Sequence, residues 1–590
     1  MRKYYILLVT IFVLGGCATK KDKFGVLENR VDIVTTKEKE HTFYLIGDAG
    51  LSPKGDLNPA LKLWQKRLAT ADKNSTAIFL GDNIYPAGFP SKKKDKEGFL
   101  NAKNHLDAQL KTLSQYKGNT IFIPGNHDWY SEGIRGLKRE EEYIEKALGG
   151  KDVFFPEDGC PIKKIEISNE VVVLAIDSEW YLTDWDKHPN INDNCEIKGR
   201  EKFFQEIEGL IKKNEDKTTI IAIHHPMFSY GVHGGQTSFK KNIYPSHSKI
   251  PLPFIGSFIN VLRKTSGASV EDMNNRKYRE LKNRLVTLAQ YSKKVIFTSG
   301  HEHTLQYIVE ENLPQIVSGG GAKSEGSRLL NGSKFSTGRM GYAVLDVFKD
   351  GSSMVRFYGV SKNGKEKFLY QSQVLPPDNI IQSEKYDKPF PSSVKASIYS
   401  KDEVSKSDFY KWLWGERYRD VYATKISAPT VNLDTLFGGL KVMRKGGGHQ
   451  SKSLRLVNKK GQEYVMRALR KSAEVYLQAM AFKEQYVVGE FTDTYTESLL
   501  LDFYTGSHPY APFTVGVLSD AVNIYHTNPV LYYIPKQEVI KDYTDEFGDQ
   551  LYMIEERTDD GHGDKESFGY ANKMESTDDL LKKLRKDENF

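Results

Sequence analysis

Cysteine is scarce in this chain: three residues in 590, at positions 17, 160 and 195. That is too few for a small disulfide-built scaffold and points away from a thiolate metal site. No apolar run reaches the roughly 20 residues that carry a helix across a bilayer. With 39% hydrophobic and 27% charged residues, the chain reads as folded and globular, neither disordered nor polytopic. Charge of one sign is lacking too, since 84 Lys+Arg against 77 Asp+Glu leave only +7. The balance is uneven, because residues 541–590 hold 15 acidic against 8 basic side chains. Attraction to anionic surfaces is therefore a weak expectation, and no nucleic-acid partner is expected. At this length a single core is too small, and two or three domains are the default.

The N-terminus, "MRKYYILLVTIFVLGGCATKK", opens with Arg2 and Lys3, runs apolar from Tyr4 to Leu14, and ends in Leu14-Gly15-Gly16-Cys17. The stretch is short for a membrane span but suits a secretory signal. Its ending resembles the bacterial lipobox, in which cleavage leaves the cysteine as a lipid-modified N-terminus. The expectation is a signal and lipobox over 1–20, lipidation at Cys17, and a polar tether over 21–40. The protein would then be anchored without spanning, in the cell envelope, at the outer membrane on its periplasmic or surface side. Cys160 and Cys195 remain as an even pair, read either as a disulfide or as two buried thiols.

From residue 41 apolar strands alternate with amphipathic helices. Strands are read at 42–50, 76–83, 119–130, 170–180, 217–229 and 295–303, and helices at 61–71, near 95–115, at 200–213 and at 277–294. This alternation indicates α/β layering with function at the carboxyl ends of the strands. The polar strand ends are Asp48, Asp82, Asn126-His127-Asp128, His224-His225 and His301-Glu302-His303. Oxygen donors mixed with imidazoles suit hard to borderline divalent or trivalent metals. Their number argues for two ions, with Asp82 bridging cations about 3.5–4 Å apart through its two oxygens. His301 and His303, at i and i+2, project from one face of extended backbone, so one reaches each metal. Asn126 adds a neutral oxygen.

"GDAG", "GDNIY", "GNHD", "HHP" and "GHEH", in this order, resemble the five motifs of the calcineurin-like metallophosphoesterases. They are most similar to those of the purple acid phosphatase branch, where a tyrosine follows the bridging aspartate by three residues, as Tyr85 follows Asp82. The resemblance covers residues 41–350. It implies a four-layer α/β/β/α sandwich, two mixed sheets flanked by helices, over 41–372. It implies Asp48, Asp82, Tyr85 and His303 around the first metal, and Asp82, Asn126, His224 and His301 around the second. Tyr85 as tyrosinate favours Fe(III), with a divalent Fe, Zn or Mn beside it; a tyrosine packed under the turn is the alternative. Two cations acidify a coordinated water, so that hydroxide attacks phosphorus in line. His127 is the candidate general acid for the leaving group, with Asp128 holding or tuning it. In the family a histidine nine residues after the H-x-P ligand helps to bind phosphate, and counting from His224 gives His233, whose alternative is an exposed loop histidine. His225 is expected to point away.

Residues 235–276 form a long apolar and basic insertion of the kind that acts as a lid or specificity element. Closing strands near 315–326 and 341–360 precede a proline-punctuated linker at 373–400 and an α+β C-terminal domain at 401–590. Within that domain 444–471 reads as a glycine turn, a strand, an "NKKG" hairpin turn and a second strand. The stretch resembles the first half of a kinase-like small lobe, but no catalytic Asp with its Asn and no Asp-Phe-Gly follows. An accessory domain for an unknown partner is the reading. The leading expectation is a lipid-anchored dinuclear phosphoesterase acting on phosphomonoesters. The alternatives are a phosphodiesterase or nucleotide hydrolase on the same site, and a degenerate surface lipoprotein acting through its C-terminal domain.

Overall fold

The computed structural model describes residues 18–25, 36–238, 269–378, 390–446, 450–488, 494–558 and 561–575, with a few single positions besides. The chain divides into two compact units, residues 1–379 and 380–590. Every strand-end motif lies in the first.

The strands of the first unit are β1 (Lys23–Phe24), β2 (Lys39–Ile46), β3 (Ser75–Leu80), β4 (Asn119–Ile123), β5 (Ile162–Glu166), β6 (Val171–Ile176), β7 (Thr218–Ile223), β8 (Val295–Ser299), β9 (Leu305–Glu310), β10 (Leu313–Ser318), β11 (Ser333–Thr337), β12 (Gly341–Phe348), β13 (Ser353–Val360) and β14 (Glu366–Leu375). They form a six-stranded sheet, β14-β13-β12-β2-β3-β4, and an eight-stranded sheet, β1-β11-β9-β10-β8-β7-β6-β5. Side-chain alternation shows how the sheets stack. Phe43 and Leu45 of β2, Ile78 and Leu80 of β3, Val173 of β6 and Ile220 of β7 share one core. Their neighbours Tyr44, Ile46, Phe79, Val172 and Ile221 belong to another, together with helix residues Leu61, Trp64, Phe203, Leu281 and Leu285. Successive residues of a strand face opposite sides. One core therefore lies between the sheets, and each outer face is covered by helices, giving the four-layer α/β/β/α sandwich. Trp64 anchors the outer layer, fully buried against Phe79 and Tyr342 with edge-to-face ring contacts at 6.0 and 5.3 Å.

Parallel pairing is confined to β2-β3-β4 in one sheet and to β6-β7-β8-β10 in the other. Parallel neighbours end on the same edge, so the polar residues after β2, β3, β4, β7 and β8 emerge together. The antiparallel strands extend the sheets away from that edge.

Cys160 and Cys195 are joined, closing a loop of sequence separation 35. Loop-closure entropy for that span is worth about 4 kcal/mol. A Cys160→Ser/Cys195→Ser protein is expected to show a lower melting temperature, as read by calorimetry.

Two readings of the chain's margins change. The segment expected to be a tether is docked at its start: β1 pairs with β11, Phe24 packs on Phe335 at 5.7 Å, and Asp22 accepts a bond from Arg339 at 2.7 Å. An aromatic ring and a carboxylate within "KKDKFG" find partners that a free tether would leave in water. Residues 1–17, including Cys17, and 26–35 lie outside the described residues, as do 239–242 and 244–266 of the insertion. The span read as a linker, 373–400, holds the end of β14 and a short strand, Ser393–Ala396, paired with Ile426–Pro429. Among the described residues no helix is long and apolar enough to cross a membrane.

The second unit centres on a five-stranded antiparallel sheet with strands Lys441–Lys445, Ser451–Val457, Glu463–Lys471, Gln550–Glu556 and Val530–Ile534, in that spatial order. Its hairpin turns at "NKKG", where the Asn458 side chain accepts from the N–H of Lys460 and of Gln462 at 2.9 and 3.0 Å.

Candidate metal centre

The residues after the parallel strands turn sharply. Asp48, Asp82 and His301 all take left-handed φ, at 55°, 55° and 65°. For a side chain other than glycine such backbone costs on the order of 1–3 kcal/mol and persists where the surroundings enforce it. Gly81, at φ 86°, leaves the room: a Cβ there would lie 2.6 Å from Nδ1 of His224 and 2.8 Å from the amide of Gly125. The strand ends of both sheets thus close to van der Waals contact.

Seven of the expected residues meet there in two groups that share Asp82. In the first, the Tyr85 hydroxyl lies 2.8 Å from Oδ1 of Asp48, 2.7 Å from Oδ2 of Asp82 and 3.2 Å from Nε2 of His303. One hydroxyl proton cannot serve three acceptors, and Oδ2 of Asp48 is fully buried with no partner at all. In the second, Oδ1 of Asn126 faces Nε2 of His224 at 3.1 Å and Nδ1 of His301 at 3.2 Å. The other nitrogen of each ring points at a backbone carbonyl, Leu80 for His224 at 2.7 Å and Glu271 for His301 at 2.9 Å. Those carbonyls take the ring protons, so both imidazoles aim lone pairs at an oxygen that is itself an acceptor. The Asn126 amide is oriented by donating from Nδ2 to the Tyr130 hydroxyl at 2.6 Å. Converging lone pairs without a proton between them repel; a cation removes the conflict. Ligand atoms of Asp48, Asp82 and His224 lie within 4.8 Å of one another. The donor set therefore fits metal.

Without a cation the electrostatics are frustrated. Burial, then the charge of Asp82, pushes the Asp48 carboxyl well up. Burial opposes ionisation of Asp82 as well, but His224 and His127 outweigh it and hold Asp82 below the usual carboxylate range. Burial and both carboxylates keep the Tyr85 hydroxyl far above its ordinary value. A positive ion in the same place would reverse the upward shifts of Asp48 and Tyr85 and add to the lowering of Asp82.

The remaining expected residues lie around this centre. His127 is half-buried, its Nδ1 on the Pro86 carbonyl and its ring 4.5 Å from that of Tyr85. Asp128, expected to steady His127, is committed elsewhere. Its buried carboxylate accepts from the amides of Ile84 at 3.0 Å, Asn83 at 3.2 Å and Gly125 at 2.8 Å, tying the β3 loop to the β4 loop. A helical residue three places after a turn glycine reaches back to that turn more readily than to its own neighbour. His233 stacks on His301 at 4.1 Å and bonds Asp272 at 3.0 Å. His225 turns its Nδ1 to Ser178 at 2.8 Å, while its ring lies 4.2 Å from that of His301.

Three features were not anticipated. Lys323 places its ammonium 3.0 Å from the Tyr85 ring centre. Glu302, between the two histidines of "GHEH", accepts from the amides of Val232 and Gly234 at 2.8 and 2.9 Å and so holds the His233 loop. The end of the insertion supplies Glu271 and Asp272 as partners of His301 and His233. Only Glu302 sat inside a recognised motif.

Residues 41–305, which contain all seven residues of the two donor groups, match the family model of the calcineurin-like phosphoesterases. Solved structures similar to the chain include the GAP50 anchor of the inner membrane complex of Plasmodium, at 15% identity over 56% of this chain and 89% of that one with a TM-score of 0.34. PhoD is similar at 11% identity over 57% and 70%, TM-score 0.36. A purple acid phosphatase from yellow lupin (Lupinus luteus) seeds is similar at 14% identity over 58% and 57%, TM-score 0.33. No curated protein sequence matches significantly.

Proposed function

We propose, starting from a calcineurin-like phosphoesterase domain in residues 41–305, that this chain is a dinuclear phosphomonoesterase of the cell envelope. The family is one of metal-dependent phosphoric ester hydrolases; the ion count, the monoester preference and the location are our reading. The observation that carries it is the pair of donor groups sharing Asp82, each with more lone pairs than protons. Asp48, Asp82, Tyr85 and His303 would hold one ion, ferric through Tyr85, and Asp82, Asn126, His224 and His301 a divalent one. When bound, such a pair supplies acidified water and neutralises phosphoryl charge.

The protein's own groups do the rest. The Nδ1–H of His127 donates a hydrogen bond to the Pro86 carbonyl, so a proton on Nε2 would be the one that a leaving oxygen takes. His233, which bonds Asp272, and Lys323, which lies over the Tyr85 ring, would receive phosphoryl oxygens. Water's oxygen bonds to phosphorus, the bond to the leaving oxygen breaks, and that oxygen leaves protonated. Lys323→Ala is expected to raise KM for an aryl phosphate about tenfold, the size of one hydrogen bond to a charged group, at little change in metal content. Cys17 would carry the lipid that anchors the protein, and the second unit, with Phe409, Trp412 and Tyr495 exposed, is read as an accessory binding domain. Rates on an aryl phosphate monoester and on the matching bis-aryl diester test the substrate class. The monoester is expected to be faster, and equal or faster diester cleavage overturns that choice.

A further inference from the structure

Residues 18–25 do not trail from the domain; they are bound to the rim of the metal centre. Ala18 is 3% exposed, and its amide donates to the Thr237 carbonyl at 3.1 Å, four residues beyond His233. Thr19 and Ser327 exchange backbone bonds, both at 3.1 Å. The approach is close, since a Cβ on Gly326 would lie 3.0 Å from the Ala18 carbonyl carbon. The preceding residue, Glu325, donates its amide to the His303 carbonyl at 2.9 Å and holds its carboxylate 3.8 Å from Nδ1 of the same ring. Asp22 then pairs with Thr337 and Arg339 at 2.8 and 2.7 Å, and the Lys23 ammonium bonds the Ser327 carbonyl at 2.9 Å.

Ala18 follows the lipobox cysteine directly, and consecutive Cα atoms are about 3.8 Å apart. A free tether over 21–40 would have a root-mean-square reach of about 25 Å; the docked segment has almost none. The two loops it clasps, 229–238 and 319–328, carry His233, Lys323 and Glu325, all three partly exposed, as are His127 and His303. Lys20 and Lys21, exposed beside Ala18, favour an anionic leaflet.

We infer that the mouth of the centre is held against the bilayer and that its substrates are phosphomonoester headgroups of membrane lipids. The inference rests on the lipid-anchored phosphomonoesterase reading above. Hydrolysis of such a headgroup joins water's oxygen to phosphorus, breaks the phosphorus–oxygen bond to the lipid alcohol, and leaves that alcohol protonated beside inorganic phosphate.

The test uses the full lipidated chain in phosphatidylethanolamine vesicles containing phosphatidic acid, read by phosphate release, with a soluble aryl phosphate measured in parallel. A second protein carries a flexible Gly/Ser spacer of about 24 residues between Cys17 and Ala18, with a reach of about 27 Å. The spacer is expected to slow cleavage of phosphatidic acid about tenfold through lost effective concentration, and to leave the aryl phosphate rate unchanged. Equal rates on phosphatidic acid with and without the spacer, or cleavage of the aryl phosphate alone, overturn the membrane-facing inference while the phosphoesterase stands. A Cys17 without lipid by mass spectrometry overturns it as well. Failure on both substrates removes the phosphoesterase reading and this inference with it.

Discussion

Asp82→Asn is expected to empty the centre of metal and to lower phosphomonoesterase activity by at least about 10³-fold, the scale of losing preorganised charge stabilisation. Asp82 is the one residue common to both donor groups, touching Tyr85 through Oδ2 and lying 3.3 Å from Nε2 of His224 through Oδ1. An amide has nearly the same shape but only one lone-pair oxygen and no charge, so it can serve one group and not both. The fold should survive, because the Oδ1 position can still accept the His127 amide, now 3.0 Å away. Metal analysis and a thermal melt on the same sample separate the two effects. Two retained ions with full activity would remove Asp82 from the role given to it.

His127→Ala is expected to act on the leaving group alone. Loss of a general acid costs about 10²–10⁴-fold where the departing oxygen needs a proton, and far less for an acidic phenol. Alkyl phosphates should therefore lose activity steeply while p-nitrophenyl phosphate is cleaved at close to the native rate. His127 is half-buried at the mouth, and among the described residues its side-chain hydrogen bond goes to the Pro86 carbonyl, so metal content should not change. Equal losses on both substrates would mean that His127 orders the site and does not supply the proton.

These two expectations draw on residues that the sequence exposes clearly. A buried parallel strand is a short apolar run, and β2, β3, β7 and β8 each stop on Asp or His, which is visible without any structure. Chain order and parallel pairing then bring the ends to one edge. What remained hidden depends on contacts between segments far apart in the chain. Lys323 reaches the Tyr85 ring from a glycine-rich loop 238 residues away in sequence, and no local pattern distinguishes it from any surface lysine. Asp128 looked like a partner for its neighbour His127 because adjacency is all a sequence offers; helical geometry sends its carboxylate back to Gly125 instead. The docking of residues 18–25 was hidden for the opposite reason. A lysine-rich segment after an expected lipobox reads as solvated, and only the partners Arg339 and Phe335 show why Asp22 and Phe24 are there. The left-handed backbone at Asp48, Asp82 and His301 likewise has no signature beyond the glycines around it.

The measurement that bears most directly on the account is a visible spectrum with metal analysis of the purified protein beside its Tyr85→Phe variant. In the proposed reading Tyr85 would distinguish a ferric pair from a divalent one, and its hydroxyl touches both Asp48 and Asp82. Iron together with a second metal is expected, with a tyrosinate-to-iron absorption band that disappears in the variant. A colourless protein that binds two divalent ions and cleaves aryl phosphates equally well with phenylalanine at position 85 would contradict it.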